Sequence, residues 1–561
     1  MSDRRLLHSP RIALHSVALC LMLSSTLWSP LAAITQGKKA QRPKQAPKGL
    51  SGSGHFAERV DFALAQGQAA KAHWGIVVAD EATGEILYDR DGGHFFVPAS
   101  NTKLFTSAFA LAALGPDHRF RTTIETSGTV QPDGRLTADM VLVGRGDPDI
   151  SNRKFPYEHT AEREGPAEKV LAEMADEVVA HGVKEIDGDV IADDSYFAYD
   201  PYPEGWTNGD LYFGFGAPVS AISLDDNTLT VTAQPGAQMG DPALISVSPR
   251  AANETFGHEI VTGPSASKPQ FSVVREPGAN PIFLRGSVPA GGTAAHVDIA
   301  LEHPAEYAAE VLKELLVARG VRVTGEARAH HGPPPYREAH ATTALAPPPA
   351  YFTALAQAAK SNATGKTPEG RIVLSEHLSP PLLQIVGALN KVSENLHAEM
   401  LLRDVAHEKA GIGTTDAGIE LEQDFLKASG IPADEILLAD GSGLSRQNLV
   451  TPRATVKFLE YILGQPWAQG FLSTLPVAGI DGTLEDRLKT TVATGRVRAK
   501  TGSLEHTHAL SGYATSIHGS QLAFAIFCDD DPAQPHATSQ VVDAIVAAMV
   551  EEFRPPSAAR K

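Results

Sequence analysis

Ser100-Asn101-Thr102-Lys103, Ser393-Glu394-Asn395 and Lys500-Thr501-Gly502 occur in that order along the chain. Together they hold the groups that acyl transfer needs when lysine, not histidine, is the base: a nucleophilic hydroxyl, an amine to take its proton, a relay hydroxyl and a second cation. No cofactor or metal is required. An unperturbed lysine has a pKa of about 10.4, so poising Lys103 near neutrality needs a shift of roughly three units, about 4 kcal/mol. Burial beside apolar residues and a nearby second ammonium both push that way, and Lys500 is the candidate second ammonium.

Positioning such groups is a matter of helix and strand geometry. Residues three apart on a helix share a face, so Ser100 and Lys103 can point into one cavity. The following run, Leu104 to Leu114, is apolar almost all round and is stopped by Gly115-Pro116, which reads as a buried helix with Ser100 at its N-terminus. Ser265-Ala266-Ser267-Lys268 has the same spacing, but the prolines at 264 and 269 rule out an ordinary helix there. Ser393 can relay a proton to a leaving amine, and the Asn395 amide can serve both Lys103 and a substrate peptide bond; a helix cap or Asx turn is the plain alternative. The stretch from Thr494 to Ser503 alternates like a strand. On it, Lys500 and Thr501 offer a charge and a hydroxyl to a carboxylate, and Gly502 leaves room for a substrate backbone. The backbone N–H groups of Ser100 and Ser503 are the candidate oxyanion hole.

With these motifs in place, the chain resembles the class C low-molecular-mass penicillin-binding proteins, the D-alanyl-D-alanine carboxypeptidases/endopeptidases of the serine peptidase S13 family. Phe96-Val97-Pro98-Ala99-Ser100, Gly144-Arg145-Gly146-Asp147-Pro148, Asp193-Asp194-Ser195-Tyr196-Phe197, Ala217 to Ala221, Asp440 to Arg446 and Leu475 to Leu484 also resemble stretches of that family. The resemblance runs from about residue 56 to about 555. It implies an acyl-enzyme on Ser100, with Lys103 as base and Ser393 assisting the departing D-alanine. Peptidoglycan stem peptides would be the substrates and β-lactams covalent inhibitors. It also implies recognition of the free end of the stem's third residue by polar groups outside the motifs, for which Asp193 and Arg446 are the candidates. An ordinary turn and a surface ion pair are the alternative for those two. Glu394 and His397 depart from the family's usual residues, a smaller acid and an aromatic, and could shift pH dependence.

The surroundings fit an exported enzyme. At 561 residues the chain exceeds what one core usually organises. A net charge of −18 disfavours nucleic acid and leaves at most peripheral membrane contact. Of two cysteines, Cys20 lies in the leader and Cys528 in an apolar strand, so no internal disulfide is expected. Arg4, Arg5 and Arg11 before an uncharged stretch read as a signal peptide over 1–33, with an uncleaved anchor as alternative, followed by a basic tether over 34–55. About 290 residues separate Ser100 from Ser393, room for one or two inserted domains. We therefore expect a mixed α/β fold: a penicillin-binding/β-lactamase-like serine transferase domain from 56–120 and 346–556, with a strand-rich insert over 121–345. The segment from Gly332 to Pro349 is the expected return linker. Other readings stay open at this stage: a β-lactamase, a sensor that binds β-lactams or wall fragments without turnover, and a histidine-dependent or metal hydrolase, for which the 21 histidines show no HExxH pairing.

Overall fold

The computed structural model describes residues 53–158, 165–249, 255–275, 281–335, 370–532 and 535–555. The expected leader, nearly all of the basic tether and most of the Pro-rich return segment lie outside these.

In chain order, helix α1 (Ser53–Leu64) precedes a hairpin of β1 (His73–Asp80) and β2 (Ile86–Arg90), and a single 3-10 turn over Ala99–Asn101 leads into α2 (Thr102–Leu114). The insert then supplies β3 (Arg121–Thr126), β4 (Met140–Val143), α3 (Lys169–Ala180), β5 (Val190–Asp193), α4 (Pro304–Ala318) and β6 (Ala327–His330). Past the undescribed return segment come β7 (Ile372–Leu378), α5 (Leu382–Ala388), α6 (Asn395–Ala410), α7 (Thr415–Ala428) and α8 (Pro452–Leu463). Strands β8 (Val497–Leu504), β9 (Thr507–Thr515) and β10 (Gln521–Asp529) and helix α9 (Pro535–Glu552) finish the described chain.

The two ends of the chain share one five-stranded sheet, ordered β8-β9-β10-β1-β2 and antiparallel throughout. Its central strands are buried on both faces, which is why Leu522 to Cys528 reads as an unbroken apolar run. Period-two alternation sends Ile76, Val78, Phe524 and Ile526 to one face, against Phe56 and Val60 of α1, Met549 of α9 and Phe553 just past its end. Val77, Ala79, Ala525 and Phe527 face the other way, against Phe105, Phe109 and Phe458 of α2 and α8. Helix α2 is thus clamped between the sheet and α6–α8, so its polar residues sit in a rigid interior.

The insert closes a core of its own around Leu142, Val190, Leu229, Leu284 and Leu312. Its largest sheet is ordered β6-β5-β4-β3-β7, parallel from β6 to β4 and antiparallel from β4 to β7. Two three-stranded sheets follow, one from Thr228–Gln234, Leu244–Ser248 and Ala295–Ala300, the other from Thr255–Gly263, Gln270–Arg275 and Pro281–Pro289. One expectation shifts here. Strand β7 falls within 346–556, yet it pairs with β3 and so belongs to the sheet of the insert. Arg121 of β3 and Glu376 of β7 are hydrogen-bonded across that pair, and Leu374 packs into the insert's core. Among the described residues, no helix is long and apolar enough to cross a membrane, and Cys528 is a buried free thiol.

Candidate active site

Lys103 sits in the first turn of α2 and is fully buried. Its amine donates to Ser100 Oγ at 3.0 Å, Asn395 Oδ1 at 2.5 Å and the Ser442 carbonyl at 2.6 Å. Ser100 itself lies not in α2 but in the 3-10 turn before it, entered through Ala99 at a left-handed φ of 47°. That turn folds the hydroxyl back toward the lysine one turn on.

Ser393 closes a short π-helical turn over Leu389–Ser393 and has a φ of 67°. A left-handed serine is costly, on the order of 1–3 kcal/mol, and persists only where neighbours dictate it. They do so here: Lys391 Nζ donates to the Leu475 carbonyl at 2.7 Å and to both oxygens of Asp481 at 2.6 Å, tying the turn to the loop that precedes β8. Ser393 Oγ then receives Lys500 Nζ at 2.7 Å. Lys500 also donates to the Thr501 carbonyl at 3.1 Å, and Thr501 Oγ1 donates to Thr483 Oγ1 at 2.8 Å.

The two amines respond differently to their surroundings. Burial pushes Lys103 down to about 8, against the opposing pull of Asp440, Glu394 and Glu399. Burial, and after it the Lys103 ammonium, push Lys500 well below an ordinary lysine. The like-charge effect expected at Lys103 therefore falls on Lys500, because carboxylates surround the first amine and not the second.

Gly502 also has a different setting from the one expected. A Cβ there would lie 2.6 Å from the Pro98 carbonyl and 3.0 Å from Asn101 Nδ2, so the glycine admits the turn that carries Ser100. Asn101 Nδ2 donates to the Lys500 carbonyl at 3.0 Å, stitching turn to strand. Ser100 and Ser503 thus come from two elements in direct contact, the turn and β8, with Ser503 exposed.

Asn395 is oriented from both ends. Its oxygen faces Lys103, and its Nδ2 donates to the Phe215 carbonyl of the insert at 2.7 Å. One amide N–H remains for a substrate.

The outlying candidates separate. Arg446 pairs with Asp210 at 3.1 Å, and Asp210 is steadied by Thr207. Asp193 is instead buried at the end of β5, where it accepts from Ser195 and lies 3.7 Å from Arg371. Its contacts are with the sheet of the insert, and the acid that meets Arg446 is Asp210. Of the two departures from the family pattern, Glu394 lies 3.4 Å from Arg153, and His397 is fully buried with Nε2 3.3 Å from Asp226. A cavity of about 680 Å³ lies beside the β8–β9 turn, between Trp74, Arg90, Phe96, Arg446, His506 and Asp529, and none of the residues of the three motifs lines it. Among the described residues, no group of acids, histidines or cysteines is arranged to hold a metal.

Sequence reasoning missed the loop over Asp440–Gly443 as part of the site. Asp440 accepts from the Gly443 and Ser445 amides, from Asn448 and from the Trp206 indole, and Glu399 accepts from Gly441 and Ser442. The available signal was an acid followed by Gly-Ser-Gly, a pattern that anchors a turn through its own amides.

A serine in the turn before a buried helix, a lysine in that helix's first turn, a Ser-x-Asn segment and a Lys-Thr-Gly edge strand, converging in one cleft, define the penicillin-binding/β-lactamase-like class of serine transferases. The chain belongs to the D-Ala-D-Ala carboxypeptidase 3 (S13) family, whose sequence model matches residues 56–347 and 353–549. It is 34% identical over 480 residues to a D-alanyl-D-alanine carboxypeptidase of Actinomadura sp. (strain R39), covering 84% of this chain and 80% of that one. It is 27% identical over 458 residues to the D-alanyl-D-alanine carboxypeptidase DacB of Haemophilus influenzae, covering 81% of this chain and 84% of that protein. The crystal structure of penicillin binding protein 4 (dacB) from Haemophilus influenzae superposes with a TM-score of 0.70 at 23% identity, over 89% of this chain and 99% of that one, which shows the shared fold.

Proposed function

We propose that this protein is an exported serine D-alanyl-D-alanine carboxypeptidase of the bacterial envelope that also opens D-alanyl cross-links, working through an acyl-enzyme on Ser100. The observation that carries the reading is the set of three acceptors around the Lys103 amine. An ammonium has three N–H groups and matches all three; the neutral amine has two and a lone pair. With N–H groups on Asn395 Oδ1 and the Ser442 carbonyl, the lone pair faces Ser100 Oγ.

Lys103 then takes the Ser100 proton as Oγ bonds to the carbonyl carbon between the two D-alanines. The developing oxyanion lies toward the Ser100 and Ser503 amides. Lys500 donates to Ser393 Oγ, so the Ser393 proton goes to the departing amine as the C–N bond breaks; the Lys103 ammonium then gives Ser393 the proton it took, and Lys103 is neutral again. Water attacks the ester, gives its proton to Lys103, and Ser100 regains a proton as the acid leaves. Thr501 and Lys500 receive the terminal carboxylate, and Arg446 with Asp210 faces the free end of the stem's third residue. A β-lactam enters by the same first step and stays on Ser100. The leader over 1–33 would carry the chain out of the cytoplasm.

The test uses the full chain and its Ser100→Ala variant on a stem peptide ending in D-Ala-D-Ala, on a cross-linked muropeptide dimer and on a labelled penicillin. We expect D-alanine release, dimer cleavage and a penicillin adduct on the peptide containing Ser100, all absent from the variant. An adduct without D-alanine release would make the protein a sensor; activity in the variant would remove Ser100 as nucleophile.

A further inference from the structure

Resting on that reading of Lys103 as base, we propose that Glu399 is a positioning residue: from α6 it holds the loop whose Ser442 carbonyl orients the Lys103 amine, so that the free lone pair points at Ser100. Glu399 lies one turn beyond Asn395 on α6, and residues four apart on a helix share a face. Asn395 thus meets the amine directly and Glu399 reaches past it to the loop.

The contacts are specific. Glu399 Oε1 accepts from the Ser442 amide at 2.8 Å, and its two oxygens accept from Gly441 at 3.1 and 3.2 Å. Asp440 Oδ1 accepts from the Gly443 amide at 2.8 Å. That amide shares a peptide plane with the Ser442 carbonyl, and in a trans peptide the two point opposite ways. Holding the N–H from behind therefore drives the oxygen at Lys103, 2.6 Å away. Gly443, at φ 84°, is needed for the approach, since a Cβ there would lie 1.8 Å from the Ala99 carbonyl.

Glu399 is fully buried, and a buried carboxylate adds little to stability that an apolar residue of its size would not. Its nearest cation on α6, Arg403, donates instead to Thr415 and to the Asp200 carbonyl. The other charged groups around Glu399 are Asp440 on its loop and Glu422 on α7; Lys103 faces Lys500 of β8, Glu394 at the start of α6 and Asp440. The carboxylate of Glu399 favours the Lys103 ammonium, so its loss moves the base form to lower pH.

The experiment measures acylation by a labelled penicillin against pH for the full-length wild type, Glu399→Gln, Glu399→Met and Thr106→Val, with thermal unfolding alongside. Thr106 donates to the Gly441 carbonyl from α2, so Thr106→Val loosens the same loop without removing charge. We expect the Glu399→Gln maximal rate to fall about tenfold to a hundredfold, with the midpoint moved to lower pH. Glu399→Met should fall further, because Gln keeps one acceptor oxygen. Thr106→Val should lose thermal stability and keep its midpoint. A folded Glu399→Gln protein with the wild-type rate and midpoint overturns the inference, and so does an equal midpoint shift in Thr106→Val. If Ser100→Ala still forms the adduct, the site reading itself has failed; if it is inert while Glu399→Gln behaves as wild type, only the role of Glu399 has.

Discussion

Replacing Gly502 by alanine separates two accounts of the Lys-Thr-Gly strand. If the glycine serves only a substrate backbone, the variant folds as well as the wild type and binds peptide less tightly. The packing points elsewhere: the new Cβ would lie 2.6 Å from the Pro98 carbonyl, 3.0 Å from Asn101 Nδ2 and 3.1 Å from Ala509 Cβ. Relieving the Pro98 contact needs a movement of roughly half an ångström or more, since a Cβ essentially never comes within 3.0 Å of another heavy atom and 3.0–3.4 Å is already tight. The shortest of these contacts is with backbone, so no side chain can relieve it by turning away. Such overpacking costs about 1–3 kcal/mol. The strand and the Ser100 turn would part, stretching the Asn101–Lys500 bond of 3.0 Å. A misplacement on the order of 1 Å can cost about a hundredfold in rate. Thermal unfolding and single-turnover acylation by a small labelled penicillin read both effects. We expect a lower melting temperature and slower acylation together. Unchanged stability with weakened peptide binding would refute the packing account.

Three other predictions follow from the same geometry. Lys103 titrates at about 8, so acylation rises about tenfold per pH unit below that value and levels off above it; a flat stopped-flow profile through this range would exclude Lys103 as base. Arg446→Ala removes a charged hydrogen bond worth about 1.5–3 kcal/mol, so KM for stem peptides with a polar third residue should rise about tenfold or more while acylation by a small β-lactam is unaltered. Asp404 of α6 is fully buried, and burial first, then Glu408 and Asp147, raise its carboxyl well above 3.8. The folded state therefore holds a proton that the unfolded chain releases, and stability falls as pH rises above that unfolded value. Asp404→Asn should flatten this loss in chemical denaturation as pH rises from about 4; an unchanged slope would count against it.

The sequence made some elements legible for clear reasons. Helix α2 announces itself by an apolar run stopped at Gly115-Pro116, and β10 by an unbroken apolar stretch. What stayed hidden was carried by the backbone. Neither the Ser442 carbonyl nor that of Phe215 leaves a mark in residue type, since any residue supplies the same oxygen. Asp210 was one acid among many, and only folding brings it to Arg446, 236 residues away. The role of Gly502 could not be read either, because the atom it makes room for belongs to Pro98, on another element.

The insert bears on the chemistry through these same contacts. Phe215 fixes the amide of Asn395, Trp206 donates to Asp440 at 2.9 Å, and Arg153 of the insert lies against both Asp226 and Glu394. Each of these touches a group that sets the Lys103 amine: Asn395 directly, Asp440 through the Ser442 peptide, and Glu394 through its charge. The five-stranded sheet and α2 bring nucleophile and base together, but the direction of the base is set in part from outside them. A chain without the insert would therefore lose the supports that aim the Lys103 amine at Ser100.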